Sequence, residues 1–93
     1  MSDAEAYELV VTPPAVRAIA EQLPEAVAAA VIEFLTATLI HNPQRVGKPL
    51  RQALAGVWSA RRGTYRVLYR IEDDKREVVV LRVEHRGDAY RPH

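Results

Sequence analysis

The chain has 93 residues, of which 13 are basic, 12 are acidic and 48% are apolar. That length predicts a single domain over residues 1–93, and the apolar fraction excludes a wholly disordered chain. The absence of cysteine excludes disulfides and thiolate chemistry and fits a reducing cytoplasm. No signal peptide or membrane span is expected, because residues 1–5 are acidic and polar and Glu33 interrupts the longest apolar stretch.

Charge is distributed unevenly along the chain. Residues 1–44 hold six acidic residues and a single basic one, Arg17, whereas residues 45–93 hold twelve basic and six acidic residues. Eleven of the thirteen basic residues are arginines, whose planar guanidinium group suits phosphate. This asymmetry is typical of nucleic-acid binders, although solvated arginines on an ordinary surface would give the same count.

The first 40 residues predict one strand and two helices. Residues 7–11 form a β-rich run, after which Thr12 suits an N-cap and Pro13 the first helical position. Pro24 should end the first helix and start the second, which should extend to about residue 40. The inward stripe of the second helix is Val27, Val31, Phe34, Leu35, Thr38 and Leu39. Its outer face is mostly alanine with Ile32 and Ile40, which indicates either a partner-binding surface or simply good helix formers.

The remaining residues predict a basic connector and three strands. The connector, residues 41–56, carries Arg45, Lys48 and Arg51, and its Leu50 and Leu54 are expected to enter the core. Strands are expected at 57–62, 65–72 and 77–84, with a tight hairpin at Gly63 and Thr64. The outline is therefore β-α-α-β-β-β, an α+β fold with an N-terminal helical hairpin packed on a small antiparallel sheet.

The strand at 65–72 has one apolar face and one basic face. Tyr65, Val67, Tyr69 and Ile71 alternate with Arg66, Leu68 and Arg70. Arg61 on the paired strand should reach the basic face, and the end of the last strand should bring His85, Arg86 and Tyr90 near it. The sequence has no metal-ligand motif, no phosphate-binding glycine loop and no serine elbow, so no metal or cofactor is expected. Arginine with histidine, tyrosine or carboxylate suits cleavage of RNA by its own 2′-hydroxyl, although open-face arginines are also commonly just solvated.

A longer pattern in the second half is similar to a known family. The segment 47–71, containing the letters "L..L.G.WS.R.G.YRVLY.I", and the later "V.HR.DAY" resemble the RelE/ParE toxin superfamily. The similarity is greatest to the RelE/YoeB-like mRNA interferase branch, especially actinobacterial RelE-like toxins. The resemblance implies a cytoplasmic type II toxin that enters the ribosomal A site and cuts mRNA. It also implies a cognate RelB-like antitoxin that neutralises the toxin in a hetero-oligomer.

The resemblance also implies roles for individual residues. Arg66 would contact the scissile phosphate, Arg61 would supply a basic position, and Arg86 would stabilise or protonate the leaving group. Tyr90 would stack on or orient the substrate, and His85 occupies a position where some branches carry histidine or lysine. Further RNA contacts are expected from Lys48, Arg51, Arg62 and Arg70. Antitoxin contacts are expected on the second helix, at Ala29, Ile32 and Leu39.

The sequence departs from the RelE pattern at two positions. The best-studied branch carries two lysines on the strand that here holds Val57 and Ser59, and one of them is thought to help activate the 2′-hydroxyl. His85, Glu84 or Asp88 would then have to act as general base, with Lys48 and Arg51 supplying the missing charge. A ParE-like gyrase inhibitor without nuclease activity remains an alternative, as does a weakened toxin that acts mainly in an autoregulatory repressor complex with its antitoxin.

Overall fold

The computed structural model describes residues 6–51 and 55–85. Strand β1 is Glu8–Val11, and helix α1 is Pro13–Arg17, continued by a π-helical segment at Ala18–Gln22. Helix α2 is Glu25–Phe34, continued by a second π-helical segment at Leu35–Leu39. The chain then forms α3 (Pro43–Val46), β2 (Lys48–Pro49), β3 (Trp58–Arg62), β4 (Tyr65–Glu72) and β5 (Glu77–His85). The α+β class and the helical hairpin are confirmed, and α3 and β2 are additions within the expected connector.

The five strands form a mixed sheet in the order β1-β5-β4-β3-β2. Strands β2 to β5 pair antiparallel, but β1 runs parallel to β5, with Val10 opposite Val79. The expected antiparallel sheet is therefore corrected to a mixed one. The helical hairpin provides the long crossover that parallel pairing requires, and it returns the chain so that β5 lies between β1 and β4.

The end of β1 is tied to an irregularity in β5. Leu68 pairs with Arg82 but Tyr69 pairs with Val80, so Leu81 is an extra residue that forms a β-bulge. The Thr12 side chain does not cap α1 as expected. Its hydroxyl instead lies 2.9 Å from the carbonyl oxygen of Val80 and 3.1 Å from that of Leu81. Thr12 therefore holds the bulge at the point where β1 stops and α1 begins.

The core lies between the helical hairpin and one face of the sheet. Val31, Phe34 and Leu35 are buried against Tyr65 and the other inward residues of β4 and β5. The rings of Phe34 and Tyr65 meet edge to face, with centroids 6.3 Å apart. Leu39 is also fully buried, so its expected role in antitoxin contact is wrong: it belongs to the inward stripe of the helix. None of the described helices is long and apolar enough to cross a membrane.

The connector is anchored by β4. Tyr69 is fully buried, stacks on Trp58, and donates a hydrogen bond of 2.7 Å from its hydroxyl to the carbonyl oxygen of Pro43. Leu50 is partly buried, as expected, and Leu54 lies outside the described residues. These contacts fix the start of β2 beside β3.

Candidate nucleic-acid interface

The face of the sheet that lies away from the helices carries the basic cluster expected from the strand alternation. Directly paired residues point to the same side of a sheet. Arg61 pairs with Arg66, and Arg66 pairs with Glu84, so these three side chains form one row across β3, β4 and β5. We call this side of the sheet the open face. The hairpin that aligns the first two strands has Gly63 at its first turn position with φ of +56°, as a type II′ turn requires.

Arg66 is held in place by a carboxylate. Its Nη2 lies 2.7 Å and its Nε 3.2 Å from Oε1 of Glu84. The side chains of Arg66 and Glu84 remain 43% and 37% exposed, so the pair is accessible from solvent. A charged hydrogen-bond partner of this kind orients a guanidinium group. Neither of these two bonds uses Nη1 of Arg66, and among the described residues Nη1 has no other partner, so it can donate to a phosphate.

Lys48 supplies a cation beside one of the positions where the RelE pattern has lysine. It pairs with Ser59 across β2 and β3, and Ser59 pairs with Leu68 on the open face. Opposed side chains in antiparallel strands lie about 5 Å apart at Cβ. The ammonium group of Lys48 can therefore serve the region that a lysine at position 59 would serve.

The structure separates two expected site residues from this cluster. His85 pairs with Tyr65, and Arg62 also pairs with Tyr65, on the helix side of the sheet. The His85 Nε2 lies 3.2 Å from Oγ1 of Thr64, and its Nδ1 is shielded from solvent with no partner in the described part of the chain. The expected proximity of His85 to Arg66 is therefore wrong, because the sheet lies between their side chains.

Arg62 packs on an aromatic ring of the core. Its guanidinium carbon lies 4.8 Å from the centroid of Phe34. Burial raises the pKa of Tyr65, and the nearby Arg62 charge opposes that rise. Arg62 thus lies on the helix side of the sheet and is not part of the open face, and its expected contact with RNA stays a prediction.

The remaining expected residues differ in how much the structure says about them. Arg70 lies on the open face, with Nε 3.8 Å from Oε2 of Glu72. Arg51 is exposed just after β2.

The residues expected to contact an antitoxin lie on α2. Ala29 and Ile32 are exposed there, and Ile32 keeps 49% of its surface accessible. Arg86, Tyr90 and Asp88 lie outside the described residues.

Arg82 is the open-face residue that the sequence analysis missed. It pairs with Leu68, and its Nε lies 3.8 Å from Oε2 of Glu84. Arg82 and Glu84 are two residues apart, a spacing that predicts side chains on the same face of a strand. The continuous apolar run before Arg82 has no alternation, so the sequence did not show which face that is. Glu84 therefore lies between two arginines. Within residues 6–51 and 55–85, no group of three or more histidine and carboxylate side chains is placed to hold a metal ion.

Comparison with known proteins assigns this fold to a family. Residues 10–90 match the family model described as the ParE toxin of the type II toxin-antitoxin system, parDE. The chain belongs to this toxin family. The match extends over β1 from Val10, all the helices and strands β2 to β5.

Individual relatives are toxins of the RelE type. The chain is 60% identical to Toxin RelG of Mycobacterium tuberculosis over 70 residues, covering 75% of this chain and 80% of that protein. It is 45% identical to Toxin RelE of the same organism over 91 residues, covering 98% and 93%. The crystal structure of the M. tuberculosis RelBE2 toxin-antitoxin complex superposes with a TM-score of 0.84 at 53% identity, covering 87% of this chain and 99% of that one. The resemblance to actinobacterial RelE-like toxins is confirmed.

Proposed function

We propose that this toxin cleaves mRNA on the ribosome and that a cognate RelB-like antitoxin neutralises it. The observation that carries the proposal is the Arg66–Glu84 pair, which is accessible on the sheet, has Arg61 opposite Arg66 and shares the open face with Lys48. The high identity to proteins named RelG and RelE supports the same assignment. Because the proposed substrate is mRNA bound to the ribosome, the toxin would act in the cytoplasm, within the ribosomal A site.

The reaction needs no metal or cofactor in this proposal. The 2′-hydroxyl loses its proton to a base and attacks the adjacent phosphorus, forming a cyclic phosphate while the bond to the 5′-oxygen breaks and that oxygen gains a proton. Arg66 and Arg61 stabilise the negative charge that grows on the phosphoryl oxygens. Glu84 bonds Arg66 directly on the open face and acts as the base. Arg86 and Tyr90 would serve the leaving group and the stacked base.

The other basic side chains bind the RNA backbone. Lys48 and Arg70 lie on the open face, both on the Leu68 side of the row formed by Arg61, Arg66 and Glu84, and Arg51 follows β2. Contacts of this kind position the strand without selecting its sequence. His85 contributes indirectly in this proposal, through its contact with Thr64 at the hairpin.

Primer extension on mRNA from a translating extract tests the proposal. The wild-type toxin should generate new 5′-ends within ribosome-occupied codons, and Arg66→Ala should abolish them. Lys75→Ala is the control, because it removes one positive charge at the β4–β5 turn, away from the row of Arg61, Arg66 and Glu84. The family model is described as a ParE toxin, and inhibition of gyrase without nuclease activity is the alternative function. Intact mRNA together with accumulating gyrase cleavage complexes would overturn the nuclease proposal in favour of that target.

A further inference from the structure

A cleft between α1 and β5 places together two arginines that are far apart in the chain. It has a volume of about 300 Å³ and is lined by Pro14, Arg17, Gln22, Arg82 and Val83. Arg17 is the single basic residue of the acidic first 44 residues. The fold therefore brings it beside Arg82, which the sequence places in the basic half.

The cleft exists because β1 stops early. β1 pairs with β5 only as far as Val80, and Thr12 then turns the chain into α1. Beyond the bulge at Leu81, no strand pairs with the outer edge of β5 in the described part of the chain. Helix α1 and the π-helical segment Ala18–Gln22 contact β5 instead. The groove along this edge is consequently lined by side chains from both elements.

The lining has the chemistry of an anion site. It contains two guanidinium groups and one amide, and none of its five residues is acidic. Arg17 makes no ion pair with any residue in the described ranges, and the Arg82 side chain is 68% exposed. Two arginines that converge on a cleft provide paired planar donors for the oxygens of a phosphate.

The cleft is continuous with the cleavage site proposed above. Arg82 lines the cleft and also approaches Glu84, which holds Arg66 on the open face. We propose that Arg17 and Arg82 bind a backbone phosphate of the RNA substrate outside the scissile position, an inference that rests on the proposed nuclease function. The RNA strand would pass from the open face around the edge of β5. Arg82 would thereby connect the two positions.

The salt dependence of RNA binding tests this site. A fluorescent 2′-O-methyl oligoribonucleotide cannot be cut, because it lacks the attacking hydroxyl, so its affinity for the full-length toxin can be measured by anisotropy over a range of KCl concentrations. Each phosphate contact to a single strand contributes about 0.7 to the slope of log K against log salt. Arg17→Ala/Arg82→Ala should reduce that slope by about 0.7 and weaken binding roughly tenfold. Lys75→Ala should leave the slope unchanged.

Single variants and a second probe separate the possible failures. Arg17→Ala alone must lower the slope, because Arg82→Ala could act through Glu84. An unchanged slope for Arg17→Ala overturns the inference. The inference is also overturned if Arg17→Ala loses binding to polyglutamate while its binding to RNA stays intact, since that result would assign the cleft to an acidic protein. If the wild type cuts mRNA in the extract while the slope is unaffected, only this inference fails. If the wild type cuts no mRNA while the salt slope of the Arg17 and Arg82 variants falls as expected, the nuclease proposal fails and the phosphate site stands.

Discussion

Gly47 lies where any side chain would collide with the anchor of the connector. A Cβ at this position would overlap the Tyr69 hydroxyl and would lie 2.8 Å from the carbonyl oxygen of Ser59. Gly47→Ala should therefore destabilise the fold by about 1–3 kcal/mol, the usual cost of overpacking, measured by urea unfolding. In a Tyr69→Phe background the same substitution should cost less, because one of the two colliding atoms is gone. Equal costs in the two backgrounds would show that the Tyr69 hydroxyl does not set the constraint.

Tyr69 also gives the stability a dependence on alkaline pH. Burial raises the pKa of Tyr69 to about 12, from an ordinary value of 10.0. The unfolded chain therefore loses this proton at lower pH than the folded chain, so the stabilisation is complete below pH 10 and is lost as pH rises towards 12. By pH 12 this loss of unfolding free energy amounts to about 2 kcal/mol. Unfolding free energies measured from pH 9 to 12 should fall less steeply for Tyr69→Phe than for the wild type, and parallel curves would contradict this.

Glu84 can be tested as a base separately from its contact with Arg66. Glu84→Gln should slow single-turnover cleavage by about 100-fold or more without weakening binding of the uncleavable 2′-O-methyl oligoribonucleotide. Glu72→Gln is the matched control, because Glu72 has the same 37% exposure and approaches Arg70 at 3.8 Å. A loss of oligoribonucleotide affinity that matches the loss of rate would mean that Glu84 only positions Arg66.

At the scale of elements, the strand alternation predicted β4 well and β5 poorly. The period of two correctly placed Arg66, Leu68 and Arg70 on one face, and it correctly brought Arg61 to them. The error at His85 arises from the bulge at Leu81, which exchanges the faces of all later residues of β5. That bulge has no glycine to mark it and lies within the continuous apolar run 78–81. Residue periodicity therefore could not reveal that Glu84, and not His85, lies opposite Arg66.

The contact between Thr12 and the bulge should matter for both stability and activity. Thr12→Val removes the hydroxyl that bonds the carbonyl oxygens of Val80 and Leu81, and it should cost about 1 kcal/mol in urea unfolding. Cleavage should slow as well, since the bulge sets the register of Arg82 and Glu84. Thr36→Val is the control, because the exposed Thr36 hydroxyl bonds only the carbonyl of Ile32 within its own helix. If both variants behave alike, the bulge does not depend on Thr12.

At the scale of the whole molecule, the sequence predicted the elements but not how the sheet is ordered. The helical hairpin, the two antiparallel hairpin strands and the inward stripe of α2 follow from local periodicity and turn chemistry. The parallel position of β1 beside β5 depends on contacts about 70 residues apart, to which local patterns are blind. The cleft at Arg17 and Arg82 exists only through that pairing, so it too lay beyond the sequence. The residues after His85 that resemble the family's leaving-group machinery lie outside the described ranges and stay predictions.

The two proposed binding surfaces lie on opposite sides of the sheet, and this separation is testable. Ala29 and Ile32 are exposed on α2, which covers the helix side, whereas Arg66 and Arg61 are on the open face. Ile32→Glu should weaken the complex with the RelB-like antitoxin about tenfold or more, because it places a charge in an apolar contact, while leaving binding of the 2′-O-methyl oligoribonucleotide unchanged. Arg66→Ala should weaken binding of the oligoribonucleotide and leave the antitoxin affinity unchanged.

Val16 provides the matched control for the helix surface. It is apolar, lies on α1, and has the same 49% exposure as Ile32. Val16→Glu should therefore leave the antitoxin affinity, measured by calorimetry, at the wild-type value. If Val16→Glu and Ile32→Glu weaken the complex equally, the antitoxin recognises the whole helical hairpin. If neither does, the antitoxin does not bind this side. If the antitoxin neutralises the toxin by covering the open face as well as α2, it must extend around the sheet, and the assembled complex should then not bind the oligoribonucleotide.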